Sequence, residues 1–110
     1  MSERLSSHPK LEGFSLEFDP GWDQIVLDLA RELDEIDPEW QPVQIKEKFG
    51  GLRCYLDSGN MSDDVYDAVS DAVERAERRA SRTCEICGSP GELRNGGWMK
   101  TLCDEHARKR

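Results

Sequence analysis

Histidine is scarce in this chain, and long apolar segments are missing. Only His8 and His106 occur among the 110 residues, so few imidazoles are available for acid–base chemistry. No run approaches the roughly 18 apolar residues that a membrane span needs, and the first residues lack the apolar stretch of a signal peptide. Nucleophile-elbow, phosphate-loop and dinucleotide motifs are also missing. We therefore expect a cytoplasmic protein that is not an enzyme and does not associate with membranes.

Charges of opposite sign are concentrated in different parts of the chain. The sequence carries 15 Lys and Arg against 23 Asp and Glu, for a formal net charge of −8. Residues 75–110 contain nine basic and five acidic residues, whereas residues 1–74 contain six basic and 18 acidic ones. The basic tail either contacts nucleic acid or an acidic protein, or its charge serves solubility alone.

The first part of the chain predicts a short strand followed by a helix. Apolar residues alternate over residues 14–18, as in a strand. Asp19 can cap free backbone N–H groups and Pro20 is tolerated in a first helical turn, so the pair is typical of a helix start. Apolar residues then recur at three- and four-residue intervals until Pro38, which discourages continuation. The pattern predicts a helix over residues 20–37.

Residues 43–57 are predicted to form a β-hairpin that turns at Gly50 and Gly51, because glycine supplies positive φ cheaply. This turn would pair Ile45 with Leu56 and would place Glu47, as a misfit, on an apolar face. The apolar side chains predicted on that face are Val43, Ile45, Phe49, Leu52, Cys54 and Leu56.

A second helix is predicted over residues 62–82, where Ser62 can cap the helix and acidic residues fill the first turn. Its apolar stripe is narrow and rich in alanine. The last turn collects Arg78, Arg79 and Arg82, which the helix dipole favours there.

The most specific chemical motif is Cys-x₂-Cys-x₁₅-Cys-x₂-His, formed by Cys84, Cys87, Cys103 and His106. Two close pairs at this separation can place three thiolates and one imidazole tetrahedrally around Zn²⁺. Because all four positions would be filled by protein ligands, the zinc would be structural. A thioredoxin-like redox pair is the alternative for the first two cysteines, but such a pair should follow a strand. Cys54 lies outside the motif and is interpreted as a small buried hydrophobe.

The zinc motif encloses a short hairpin predicted around residues 95–97, and a knuckle, hairpin and short helix resemble the treble-clef and zinc-ribbon families. The resemblance implies a small structural zinc module. Treble clefs also occur in HNH-type nucleases, whose catalytic metal requires further histidines. His106 is the one histidine of this segment and is already used as a ligand, so we do not expect nuclease activity.

The predicted fold class is therefore α+β, with two helices packed on a β-hairpin and a small C-terminal treble-clef or zinc-ribbon-like module. An acidic body would span residues 1–82 and the zinc-binding module residues 83–110, together forming one cooperative domain.

Two binding hypotheses follow from the surface residues. Protein binding is favoured, because aromatic and arginine side chains are common interface anchors, and Trp40 is open to this role. Nucleic-acid binding through the basic tail is the alternative, although nearby carboxylates oppose it. The candidate binding residues are Lys46, Lys48, Arg53, Tyr55, Arg94, Trp98 and Arg108. The basic residues that would carry nucleic-acid binding at the tail are Arg78, Arg79, Arg82, Arg94, Lys100, Arg108, Lys109 and Arg110. Lys46, Lys48 and Arg53 would form a second basic patch, and Trp98 or Tyr55 could stack on bases.

The hairpin sequence KEKFGGLRCY, followed by CEICG and WMKTLCDEH, resembles small uncharacterised proteins of phages, prophages and bacteria. The similar segment spans roughly residues 20–106. The resemblance implies no activity for particular residues. It implies a phage-type accessory protein that binds a host or phage protein and inhibits or modulates it, including a host defence system.

Overall fold

The computed structural model describes residues 8–57 and 62–109. The predicted α+β class is confirmed, with helices packed on a hairpin and a Cys/His cluster that fits a small C-terminal zinc module. No helix in these residues is both long and apolar enough to cross a membrane. The elements are β1 (Leu16–Glu17), α1 (Asp23–Ile36) after a 3-10 turn (Pro20–Trp22), β2 (Gln41–Lys48), β3 (Gly51–Asp57), α2 (Asp63–Ala80), β4 (Glu92–Asn95), β5 (Met99–Leu102) and α3 (Asp104–Arg108).

The first predicted helix is confirmed, although its first turn is a 3-10 turn. Its apolar stripe is buried in the core, with Ile25, Val26, Leu29 and Leu33 facing the sheet and α2. The predicted cap by Asp19 is wrong, because its side chain makes no capping hydrogen bond. That carboxylate instead forms an ion pair outside the helix, described below.

The predicted strand of residues 14–18 is present as the short β1, which pairs in parallel with β2. The sheet order is β1-β2-β3.

The turn that precedes β1 in the sequence buries His8, whose Nε2 lies 2.8 Å from Asp34 Oδ2. Trp40 is 1% exposed, and its indole N–H donates to the other oxygen of Asp34. The expectation that Trp40 is open to a partner is therefore wrong.

The hairpin is confirmed, but its turn and register are corrected. Lys48 pairs with Gly51, so the two loop residues are Phe49 and Gly50, with φ of 54° and 83°. Ile45 accordingly pairs with Cys54, not with Leu56. This register differs from the predicted one by two residues, which preserves the alternation of side chains between the two faces.

Val43 and Phe49 are exceptions to the predicted apolar face. Phe49 is 68% exposed because it forms the turn, and Val43 is exposed beside an irregularity of the β2–β3 pairing between Pro42 and Gln44. The misfit Glu47 has a role in this turn, since its Oε2 accepts the Gly50 N–H at 2.6 Å. The Glu47 carboxylate therefore caps the turn, whereas an apolar side chain at this position could not accept the Gly50 N–H.

The second helix is confirmed, with Ser62 as its N-cap accepting a hydrogen bond from Val65 N–H. Its small residues Ala72, Ala76 and Ala80 are buried and let α2 approach α1 closely. Two exposed ion pairs flank this contact, Arg75 with Glu32 and Arg79 with Asp28.

Candidate metal centre

The structure brings the four predicted ligands together. Their donor atoms all lie within 4.8 Å of one another. Cys84 and Cys87 occupy a tight turn after α2, closed by a hydrogen bond from the Gly88 N–H to the Cys84 carbonyl. Gly88 has a φ of 83°, a conformation that favours glycine. Cys103 is the N-cap of α3, and His106 lies in the first turn of that helix.

The spacing of the donor atoms fits a tetrahedral metal ion. Zn–S bonds of about 2.3 Å and Zn–N bonds of about 2.05 Å place two sulfurs roughly 3.8 Å apart, and a sulfur and a nitrogen roughly 3.6 Å apart. The Cys87 and Cys103 sulfurs are 3.8 Å apart, and Cys84 Sγ lies 3.6 Å from His106 Nδ1. Cys103 Sγ is nearer to that nitrogen, at 3.2 Å. These four residues are thus positioned to bind a metal ion.

The surroundings of the thiols also favour metal binding. Hydrogen bonds from Ser89 lower the pKa of Cys87 to about 6, so this exposed thiol is readily deprotonated. The backbone N–H of His106 works to lower the pKa of Cys103, but burial and the neighbouring thiols outweigh it and raise the pKa. A cation would relieve this crowding of thiolates, since a metal ligand must be deprotonated.

The remaining cysteine, Cys54, lies on the hairpin away from the cluster. Burial, aided by the nearby carboxylate of Glu77, raises the pKa of its thiol to about 12. The thiol is therefore protonated at neutral pH, as expected of a small apolar side chain.

A buried carboxylate joins the metal-binding segment to the first helix. Glu85 is 2% exposed, and its Oε1 accepts a hydrogen bond from Lys100 Nζ at 3.0 Å. Its Oε2 accepts the Asp19 N–H, and the Asp19 carboxylate in turn binds Lys100 Nζ at 2.9 Å. Burial works to lower the pKa of Lys100, but the two carboxylates outweigh it and raise the pKa. The ammonium is therefore held charged between them.

Backbone contacts reinforce the same junction. The Gly21 N–H donates to the Glu85 carbonyl at 2.6 Å, and the Trp22 indole N–H donates to the Thr83 carbonyl at 2.9 Å. A Cβ at Gly21 would overlap the Cys84 and Glu85 carbonyl oxygens, so this close approach requires glycine. The division into an acidic body (residues 1–82) and a zinc-binding module (residues 83–110) stays a prediction. These contacts connect the two predicted parts.

Four of the predicted binding residues share one surface. Lys46, Lys48, Arg53 and Tyr55 lie on the face of the sheet opposite the face that buries Ile45. The sequence could locate this group because side chains alternate along a strand.

The other predicted binding residues belong to the C-terminal segment. Trp98, in the loop between β4 and β5, is 70% exposed, and Arg108 is exposed on α3. Arg94 is partly buried; its Nε donates to the Leu102 carbonyl and its guanidinium pairs with Asp104 at 2.8 Å. Arg94 therefore connects β4 to the start of α3.

The roles of His8, Glu85 and Lys100 were missed by sequence reasoning. Their partners Asp34 and Asp19 are distant in sequence, so no local periodicity links them. The sequence offered one signal for Glu85, its position between the two cysteines of the first pair. A glutamate is usually exposed, however, so this position alone does not predict burial.

The fold and the site together define this chain as an α+β domain with a Cys₃His cluster. The chain matches no protein-family model, no curated protein and no solved structure.

Proposed function

We propose that this chain is a non-enzymatic, zinc-stabilised protein-binding module of the phage accessory type, which inhibits or modulates a host protein stoichiometrically. Zn²⁺ is the proposed metal because three thiolates and one imidazole at tetrahedral spacing are its preferred structural ligands. The four protein donors leave no coordination position for a substrate or water, which supports a structural role for the ion.

The observation that carries the choice of a protein partner is the pairing of the basic tail. Nucleic-acid binding requires basic side chains that are free to replace counterions at phosphates. Three of the eight tail residues named for this role are already held in ion pairs between separate elements: Arg79, Arg94 and Lys100.

The proposed contact surface, which we call the turn–hairpin surface, consists of Phe49, Leu93 and Trp98 with Lys48 at its margin. Gly50 lies against Leu93, so the exposed Phe49 is beside the β4–β5 hairpin that carries Trp98 in its loop. Exposed aromatic side chains next to a cation are common anchors of protein interfaces. The metal supports this surface by holding the ends of the segment that forms the hairpin.

Affinity capture from a bacterial lysate tests the proposal. The tagged chain should retain a protein in near-stoichiometric yield after nuclease treatment, and Phe49→Asn combined with Trp98→Ser should abolish the capture. Asn suits the left-handed conformation at position 49, so the change removes the ring with little backbone strain. Val43→Ser, which removes an exposed apolar side chain from β2, is the control and should retain the partner.

Two results would contradict the proposal. Capture that disappears on nuclease treatment and weakens steeply with salt would favour the nucleic-acid alternative. Equal capture by the wild type and the double variant would exclude the turn–hairpin surface.

A further inference from the structure

A cleft of about 700 Å³ lies between strand β3 and helix α2. Val69 and Val73 from α2 and Leu56 from β3 supply its apolar lining, and Tyr55 and Tyr66 stand exposed at its sides. It lies on the β3 side of the sheet and shares none of the residues of the turn–hairpin surface. Whatever binds in it is therefore additional to the proposed function.

The cleft follows the free edge of a strand. β2 is the one strand neighbour of β3 in the described part of the chain. The consecutive residues Cys54 to Asp57 all line the cleft, although their side chains alternate between the two faces of the sheet. The cleft must therefore run along the edge of β3. Alternate residues of an edge strand direct their backbone N–H and C=O groups away from the paired strand, where another strand can bind them.

The charge of the cleft selects a cationic partner. Three accessible carboxylates, those of Asp57, Glu74 and Glu77, line it beside the buried Asp37, and no Lys, Arg or His is among the described residues of its lining. Glu74 also lies 3.6 Å from the exposed Arg78, an i,i+4 pair on the helix surface that contributes little. The potential in the cleft is thus strongly negative beside an apolar floor.

We propose that this cleft binds an extended basic segment of a partner protein, which adds as a strand to the edge of β3. Main-chain hydrogen bonds to β3 would supply affinity, as in other cases of strand addition. Lys or Arg side chains on one side of the segment would meet the carboxylates, while the apolar side chains between them would contact Val69, Val73 and the tyrosines.

A synthetic, end-blocked peptide in which lysine alternates with valine is the probe. Titrated into the zinc-loaded full chain, it should shift the amide resonances of residues 52–57 more than those of the β4–β5 hairpin. The same lysine–valine peptide with every backbone nitrogen methylated keeps the charge and side chains but has no N–H donor on either edge, so it should bind at least about tenfold more weakly.

Two double variants, each of which removes two negative charges, distinguish binding in the cleft from general attraction of the peptide to an acidic protein. The double variant Asp57→Asn, Glu77→Gln should weaken binding of the lysine–valine peptide about tenfold. Asp67→Asn with Asp71→Asn removes two carboxylates from α2 that do not line the cleft and should change binding less than about twofold. Melting temperatures of both double variants should stay near that of the wild type, which shows that each is folded.

Three results would overturn the proposal. Equal affinity for the two peptides would exclude strand addition, and equal loss in the two double variants would mean attraction by net charge alone. Self-association that Asp57→Asn with Glu77→Gln abolishes would show that a second copy of the chain occupies the cleft. Because none of these variants alters the turn–hairpin surface, failure here would leave lysate capture unchanged.

Discussion

The Gly50 carbonyl accepts a hydrogen bond of 2.7 Å from the buried hydroxyl of Thr101, 51 residues away in the sequence. Gly50 forms the β2–β3 turn with Phe49, and Thr101 precedes Cys103 of the Cys₃His cluster by two residues. The turn, itself capped by Glu47, therefore supports the strand that leads into the metal site. Hairpin and metal centre are consequently expected to unfold together.

Substituting Gly50 should test this contact. Gly50→Ala would overlap the Leu93 side chain and would place a Cβ on a residue with a φ of 83°. We expect a loss of about 2–3 kcal/mol in the free energy of unfolding, because steric overlap adds to left-handed strain. Gly97→Ala is the control, since Gly97 also has positive φ but a Cβ added there would meet no described atom within 4 Å beyond its chain neighbours. Its loss should be about 1 kcal/mol by urea denaturation; equal losses would show that the close packing contributes nothing.

Removing a metal ligand should release the metal and destabilise the whole chain. Cys103→Ser should reduce the zinc measured by atomic spectrometry to background and should lower the melting temperature. Trp22 fluorescence should follow the same transition, since its indole binds the Thr83 carbonyl. Cys54→Ser removes the cysteine outside the cluster and should retain a full equivalent of zinc. Full zinc content in Cys103→Ser would exclude the site.

Lys100 is expected to stabilise the junction between the metal-binding segment and α1. Lys100→Met leaves the buried Glu85 carboxylate without its cation, so unfolding should become easier by about 3 kcal/mol. Lys109→Met breaks an exposed i,i+4 pair with Glu105 and should leave the urea midpoint unchanged. A comparable loss in both variants would indicate that burial of Glu85 is not the cause.

Asp34 should make stability depend on acid pH. Burial works to raise the pKa of this carboxyl, but hydrogen bonds from Trp40 and His8 outweigh it and hold the pKa below its ordinary value of 3.8. A group with a depressed folded-state pKa stabilises the fold above its unfolded pKa, and the stabilisation is lost as pH falls through the folded pKa.

The difference in unfolding free energy between wild type and Asp34→Asn should therefore be fully present above about pH 5 and shrink as the pH falls below about 4. Urea denaturation across this range measures it. Glu35→Gln, which removes an exposed carboxylate from the same helix, should show no such convergence. A difference between wild type and Asp34→Asn that stays constant with pH would assign its effect to shape alone.

Local patterns were sufficient for the elements and for the metal ligands. Apolar periodicity predicted both helices because a helix buries residues three and four apart. The spacing of Cys84, Cys87, Cys103 and His106 predicted a common site because few chain geometries other than metal binding require it. The faces of the hairpin were also correct, since a two-residue error in register preserves the alternation of side chains.

Only the tertiary structure decided which residues hold these elements together. Phe49 is in the turn because the Glu47 carboxylate caps Gly50 and the β4–β5 hairpin packs on that glycine. Glu85 is buried because Asp19 and Lys100, distant in sequence, satisfy its carboxylate. Such partners meet by packing between elements and leave no periodic trace in the chain. Helices, strands and ligand spacing follow from local chemistry, whereas the burial of charge is decided by the assembled fold.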